Sequence, residues 1–301
     1  MHTGHKNTSI SYVVPAYNAA NTVRESVSSI FNNNFKEGDE VIIVNDASTD
    51  TTQNVLVEIA KTFYPHVIIV NNETNKGCPA SRNIGISQSK NELIFNLDSD
   101  NVLVAHSIEQ LRQALIANDA DVASFQEYHF FKDNPSRITH KWVCVSGQLL
   151  LNDFLSGIFN PGPGGNFLYK KQTWQRIGGY WEYGKGLHEA WGFSLKLLAN
   201  KAKFWVVPNT FYYHRYSHQS LFVTEDKKQN ESIAVTNKFI DIILNWLTRE
   251  SSVHVRNNPN WFNDLAFKPL QLQNQPIGIN GKLVYTSKVK NILNKLRNSF
   301  K

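Results

Sequence analysis

Glu92-Leu93-Ile94-Phe95-Asn96-Leu97-Asp98-Ser99-Asp100 is a short apolar run that ends in two carboxylates. An apolar run of this length reads as a strand buried on both faces. Similar runs lie upstream at Ile10-Ser11-Tyr12-Val13-Val14, Val41-Ile42-Ile43-Val44 and His66 to Val70, and another downstream at Asp121 to Gln126. Between them, residues spaced as on a helix face occur around 23–31, 52–63, 80–89 and 106–118. Continuous apolar strands alternating with helices predict an α/β chain, a mostly parallel sheet flanked by helices. In such sheets ligands bind outside the carboxyl ends of the strands, where Asp98 and Asp100 fall. Two carboxylates at i and i+2 converge on one hard cation, magnesium or manganese, shared with substrate phosphates. The tripeptide alone would read as a solvated acidic turn; its place after a buried strand favours the cation site.

The other strand ends carry further candidates. Val44-Asn45-Asp46-Ala47-Ser48-Thr49-Asp50 closes the second strand. Asp46 is positioned to accept hydrogen bonds from a base or ribose, and Asp50 suits a helix cap. Val14-Pro15-Ala16-Tyr17-Asn18 follows the first strand, with turn formers at Pro15 and Asn18 and an aromatic wall in Tyr17. Asn75-Lys76-Gly77-Cys78-Pro79-Ala80-Ser81-Arg82-Asn83 enters the third helix. Gly77 permits close backbone approach. Arg82 gains nothing from the helix dipole there, so it implies an anionic diphosphate or, equally on its own, a surface salt bridge.

Composition sets outer limits. The chain has 301 residues, 41% hydrophobic and 19% charged, enough for a large core and too apolar for wholesale disorder. A net charge of +6 favours phosphates, nucleic acid or a lipid surface. Two cysteines, Cys78 and Cys144, support neither a disulfide framework nor a cysteine-rich zinc site. Met1 to Ser9 lacks the apolar core of a signal peptide, and no stretch reaches about 18 apolar residues. These features predict a cytoplasmic chain, soluble or peripheral at the inner face of the cell membrane.

Taken together, the four segments resemble the family-2 glycosyltransferases, in order and spacing, clearly over residues 9–103 and more loosely over 163–220. The resemblance implies a GT-A fold, a Rossmann-like sheet, and transfer of a sugar from a nucleoside diphosphate. It implies a catalytic domain at 1–222, with a nucleotide-binding half at 1–103 and an acceptor half at 104–222. A helical C-terminal extension with a basic amphipathic tail is expected at 223–301. Pro15, Ala16, Tyr17 and Asp46 would hold the base, usually uracil, with Asn18 and Gly77 in the same donor-binding loops and Arg82 near the nucleotide. Asp98 would lie by the ribose and metal, beside Ser99, and Asp100 would bind Mn2+ or Mg2+. Gly164-Gly165-Asn166-Phe167-Leu168-Tyr169, then Ile177-Gly178-Gly179-Tyr180, resembles the segment that shapes the donor-sugar and acceptor pocket, with Trp191 joining it; tight turns explain the glycines equally well.

The departure falls at the catalytic base. Inverting members take the acceptor's proton with a carboxylate, typically the second residue of a Glu-Asp pair that starts a helix. Here the pair reads Glu189-Ala190. Three readings stand: Glu189 serves as base, the chain is a naturally inactive relative, or Ala190 is an introduced substitution. His214, in Phe211-Tyr212-Tyr213-His214-Arg215-Tyr216-Ser217-His218, is a candidate third metal ligand, with Arg215 or His218 on phosphate. The expected activity is an inverting, metal-dependent hexosyl- or N-acetylhexosaminyl-transferase. It would use a UDP-sugar and a glycan or lipid-linked acceptor in surface polysaccharide synthesis. The alternatives are a non-catalytic sugar-nucleotide or glycan-binding relative and a nucleotidyltransferase. Val289, Ile292, Leu293, Leu296 and Phe300, interleaved with lysines, suit a terminal helix that packs on the protein or lies on an anionic membrane. No recognition motif supports nucleic-acid binding.

Overall fold

The computed structural model describes residues 8–144, 146–151, 165–182 and 189–216. The expected C-terminal extension, Gly164, His188 and His218 lie outside the described residues.

The apolar runs form the strands they predict. β1 (Ile10–Ala16) is buried throughout and lies parallel between β2 (Glu40–Asn45) and β4 (Leu93–Asn96). β3 (Val67–Asn71) pairs parallel with the outer side of β2. The chain thus runs outward from β1 to β3 and returns to β4 on the opposite side of β1. That reversal opens a crevice at the carboxyl ends of β1 and β4.

Helices cover both faces. α1 (Val23–Phe31) turns Val23, Val27 and Ile30 inward, α2 (Thr52–Thr62) turns Leu56 and Ile59, and α4 (Ser107–Ala117) turns Ile108, Leu111 and Leu115. They build one core with Tyr12, Val14, Val41 and Phe95. α3 (Cys78–Gln88) covers the other face with small residues. A Cβ at Gly85 would stand 2.5 Å from Val13 Cγ1, so only glycine lets α3 sit this close to β1. The second core gathers Val13, Ile86 and Ile94 with residues from α5 (Lys171–Ile177) and α6 (Glu189–Ala199).

Beyond β4 the sheet departs from the parallel expectation. β9 (Phe167–Lys170) enters antiparallel between β4 and β6 (Val122–Phe131). β10 (Phe204–Arg215) lies parallel to β6, and β5 (Val102–Leu103) pairs antiparallel with β10. β7 (Ile138–Val143) and β8 (Gly147–Leu149) branch from β6 and β10. Two antiparallel joints in succession leave β6 and β10 parallel to β4, so their carboxyl ends meet the crevice too. Among the described residues no helix is long and apolar enough to cross a membrane.

Candidate active site

Asp98-Ser99-Asp100 forms a half-buried turn directly after β4. The turn is tied down from several sides. Ser26 Oγ of α1 donates to the Asp98 carbonyl at 2.9 Å, and the Asn101 amide N–H to the same oxygen at 3.1 Å. Arg215, at the end of β10, donates through Nε to the Asp100 carbonyl at 3.0 Å and ion-pairs with Glu25. Its own backbone N–H goes to Asn101 Oδ1 at 2.9 Å.

The two acidic side chains differ. Asp98 is saturated with donors: Arg82 Nη2 at 2.5 Å on Oδ1, and the amides of Asn101 and Asn166, each at 3.1 Å, on Oδ2. Among the described residues the Asp100 carboxylate takes a hydrogen bond only from its own backbone, and its pKa is pushed up to about 7, by burial first and then by the Asp98 charge, with Arg215 opposing. A carboxylate in that state gains from a cation. Among the described residues, no three His, Cys, Asp or Glu side chains are grouped to hold a metal. The expected trio Asp98, Asp100 and His214 therefore does not form a protein cage. Two carboxylates still fit magnesium or manganese, which take one or two protein carboxylates and complete their octahedra with phosphate oxygens and water.

Arg82 corrects both sequence readings. It is neither on the surface nor open to a diphosphate: its side chain is 2% exposed and lies between Asp98 and Glu189, with Nη1 2.6 Å from Glu189 Oε2. The Tyr180 ring lies 5.3 Å from the guanidinium carbon. Two partly buried carboxylates supply the reason for a cation in the first turns of α3. Glu189 begins α6 and is 11% exposed. Burial lifts its pKa above the usual carboxylate range; Arg82 opposes that and Asp98 adds to it. The Cys78 thiol also hydrogen-bonds to it. Gly165 closes on this group in a left-handed conformation, φ +90°, where a Cβ would stand 3.4 Å from both Ala190 Cβ and Arg82 Nη2. Ala190, half-buried beside Glu189, contributes no proton acceptor.

At the β1 end of the crevice, Pro15 and Ala16 are buried in the strand, while Tyr17 just beyond it is 49% exposed. Asn18 brackets two loops: its N–H donates to Ser48 Oγ at 3.0 Å and its Oδ1 accepts from Thr49 N–H at 2.8 Å. Asp46 does not offer its carboxylate to the crevice as expected. Both oxygens are filled by the loop before α3, from Lys76 N–H and Asn72 Nδ2 on Oδ1 and Gly77 N–H on Oδ2, at 2.8–2.9 Å. Asp46 therefore shapes that loop. Gly77, φ +88°, makes its final turn. Asp50 accepts from Thr52 N–H at 2.9 Å, but it lies one residue ahead of the N-cap, Thr51, and so is not itself the cap the sequence suggested.

Asn166, expected to line a sugar pocket, is buried instead. Its Oδ1 accepts from Asp98 N–H at 2.9 Å, and its Nδ2 donates to Asp98 Oδ2 and to Tyr212 OH, both at 3.1 Å. Tyr212 OH in turn lies 3.1 Å from His214 Nδ1. Trp191 is half-buried and packs against both cores. Asn96 went unnoticed in the sequence, and Tyr180 was read only within the pocket segment: Asn96 Nδ2 donates to Tyr180 OH at 2.6 Å and to Tyr169 OH at 2.8 Å, setting the ring that covers Arg82. A polar residue inside the apolar run 93–97 was the available signal.

The sheet order and the acidic turn at its switch point define a GT-A fold. Residues 11–181 match the model of glycosyl transferase family 2, and the chain belongs to that family. It is 34% identical over 153 residues to glycosyltransferase GlyG of Streptococcus pneumoniae serotype 4, covering 49% of each chain. It is 28% identical over 192 residues to a poly-beta-1,6-N-acetyl-D-glucosamine synthase of Staphylococcus epidermidis, covering 58% of this chain and 42% of that one. S. aureus TarS 1–349 in complex with UDP-GlcNAc shares the fold at a TM-score of 0.61 and 18% identity, over 85% of this chain and 79% of that one. The chain spans half or less of the length of both curated relatives.

Proposed function

We propose that the chain transfers a sugar from a UDP-sugar to a glycan or lipid-linked acceptor in surface polysaccharide synthesis, inverting the anomeric carbon. The observation that carries this is the acidic turn at the switch point, where Asp100 is half-buried, raised in pKa and, among the described residues, without a side-chain donor. Asp100 would hold Mn2+ or Mg2+, with Asp98, fixed by Arg82 and Asn166, beside it. The cation, when bound, screens the charge of the departing diphosphate. Glu189 is the one acidic side chain of the Glu189-Ala190 pair. In this reading the acceptor oxygen attacks the anomeric carbon, the bond to the diphosphate oxygen breaks, UDP leaves, and the hydroxyl proton passes to Glu189. Its raised pKa favours taking that proton, while Arg82 keeps the carboxylate ionised beforehand. Curated relatives named for polysaccharide synthesis and a UDP-GlcNAc complex of the same fold support this choice. The chain acts at the inner face of the membrane in this reading, where lipid-linked acceptors lie.

Ala190 favours a second reading, a relative that binds the donor without transferring it. Donor turnover with Mn2+ separates the two when the chain is compared with Glu189→Gln and Ala190→Asp. Loss of turnover in Glu189→Gln supports Glu189 as base. A gain of orders of magnitude in Ala190→Asp, with Glu189→Gln neutral, supports the second reading. Pyrophosphate release from a nucleoside triphosphate would sink both in favour of nucleotidyl transfer.

A further inference from the structure

We propose that Arg215 is the positioning residue of the acidic turn: it clamps the backbone of residues 98–101 from β10, braced by Glu25 of α1, and does not bind the donor's phosphates. The service of this clamp to a cation and a diphosphate rests on the nucleoside-diphosphate reading above.

The guanidinium spreads over three acceptors. Nε donates to the Asp100 carbonyl at 3.0 Å, Nη1 to the Lys132 carbonyl just past β6 at 2.9 Å, and Nη2 to the Glu25 carboxylate. The guanidinium carbon lies 4.5 Å from the Phe131 ring centroid, and the side chain is 12% exposed. All three nitrogens are committed to the protein, in the planar fork that only arginine offers. A bidentate phosphate contact through Nε would cost the Asp100 carbonyl its donor.

The backbone of the same residue reaches the other carboxylate. Arg215 N–H donates to Asn101 Oδ1 at 2.9 Å, which orients the Asn101 amide so that its NH2 meets Asp98 Oδ2 at 3.1 Å. Asn101 is fully buried, and its own N–H closes the turn on the Asp98 carbonyl at 3.1 Å. Ser26, next to Glu25 on α1, donates to that carbonyl at 2.9 Å. The Glu25–Arg215 ion pair therefore joins two grips on one turn, from α1 on the Asp98 carbonyl and from β10 on the Asp100 carbonyl. The register of β5 on β10 explains the reach: Val102 lies opposite Tyr213, so Asp100 falls level with Arg215. Fixing both carbonyls fixes where the Asp98 and Asp100 side chains leave the backbone, which a cation site needs to within about 0.5 Å. Glu25 is 47% exposed, so its share is the smaller.

The test compares the full wild-type chain with Arg215→Lys, which keeps the charge and loses the fork, Arg215→Gln and Glu25→Ala. Calorimetric UDP titrations over a series of Mn2+ concentrations give the Mn2+ needed for half-maximal binding and the UDP affinity once Mn2+ is saturating. Both Arg215 variants are expected to raise the Mn2+ requirement about ten-fold and Glu25→Ala about three-fold, and all three to bind UDP within about three-fold of wild type at saturating Mn2+. Amide hydrogen exchange without ligand supplies the second readout: the Asn101 N–H should exchange at least about ten-fold faster in Arg215→Lys. A UDP affinity that stays low at saturating Mn2+ in Arg215→Gln and is restored in Arg215→Lys marks a phosphate contact and overturns the proposal. So does an unchanged Mn2+ requirement in variants that are merely less stable to urea. If the wild type binds no UDP, the nucleotide reading falls, while Asn101 exchange still decides the clamp: faster exchange in Arg215→Lys upholds it and an unchanged rate refutes it.

Discussion

Replacing Arg82 by methionine tests the hub of the site. Methionine keeps much of the volume and removes the charge shared by Asp98 and Glu189. Breaking one partner out of a buried ion pair costs about 3–5 kcal/mol, because it strands the other charge. Asp98 is 27% exposed and keeps the Asn101 and Asn166 amides, so it is partly compensated. Glu189 is 11% exposed and keeps the Cys78 thiol, so most of the penalty falls there. The expected loss is therefore about 3 kcal/mol at pH 7.5, the lower end of that range. The pH dependence has a definite sign. Burial already raises Glu189 in the folded state, and losing Arg82 raises it further. A group whose folded pKa is raised favours the folded state fully only below its unfolded pKa, about 4.3, and that contribution is lost as pH rises through the folded value. The difference between Arg82→Met and wild type should thus shrink steadily from pH 7.5 toward pH 4.5. Urea unfolding across that range measures it. A loss under about 1 kcal/mol at pH 7.5, or one constant with pH, would refute the assignment of Arg82 to the two carboxylates.

Other perturbations read single features. With Asp100 raised to about 7, a cation must displace a proton below that pH, so Mn2+ affinity should fall about ten-fold per pH unit from pH 6.5 to 5.5 and level off above pH 7.5, measured by calorimetry. Lys196 is buried, donates to the Gly178 and Gly179 carbonyls at 3.0 and 2.8 Å, and has a pKa lowered to about 8 by burial. Because the unfolded chain binds that proton more tightly, wild-type stability should rise between pH 8 and 10, and Lys196→Met should lose this rise in chemical denaturation. Gly147 and Gly179 both have positive φ, but a Cβ at Gly147 meets nothing within 4 Å, whereas one at Gly179 meets Asn83 Oδ1 at 2.7 Å and Trp174 Nε1 at 3.0 Å. Gly179→Ala should therefore destabilise by about 1–3 kcal/mol more than Gly147→Ala; equal melting temperatures would contradict the packing described.

Residues 9–103 were legible because their signals are local. β1 to β4 are continuous apolar runs, and α1, α2 and α4 show inward faces at helical spacing. The second half hides its strands. β9 is four residues that follow a glycine-rich stretch, and β10 is interrupted by Pro208 and Asn209, with φ +58° at Asn209 and a register shift before Phe211. That bulge interrupts the apolar run after Val207. β7 did carry a period-two trace, Ile138, His140 and Trp142 alternating with Thr139, Lys141 and Val143. The acidic turn was legible from its place after β4. Its partners were not: Arg82 meets Glu189 across 107 positions and Asn166 meets Asp98 across 68, and polar pairs leave no periodic mark in sequence.

Asp100 is the residue through which a cation would join the diphosphate. Calorimetric titration of UDP into wild type and Asp100→Asn, with and without Mn2+, measures that. UDP binding should require Mn2+ in the wild type and fall at least about ten-fold in the variant, while folding is retained because among the described residues no side chain donates to the Asp100 carboxylate. UDP binding that is indifferent to Mn2+, or equal in wild type and Asp100→Asn, would contradict it.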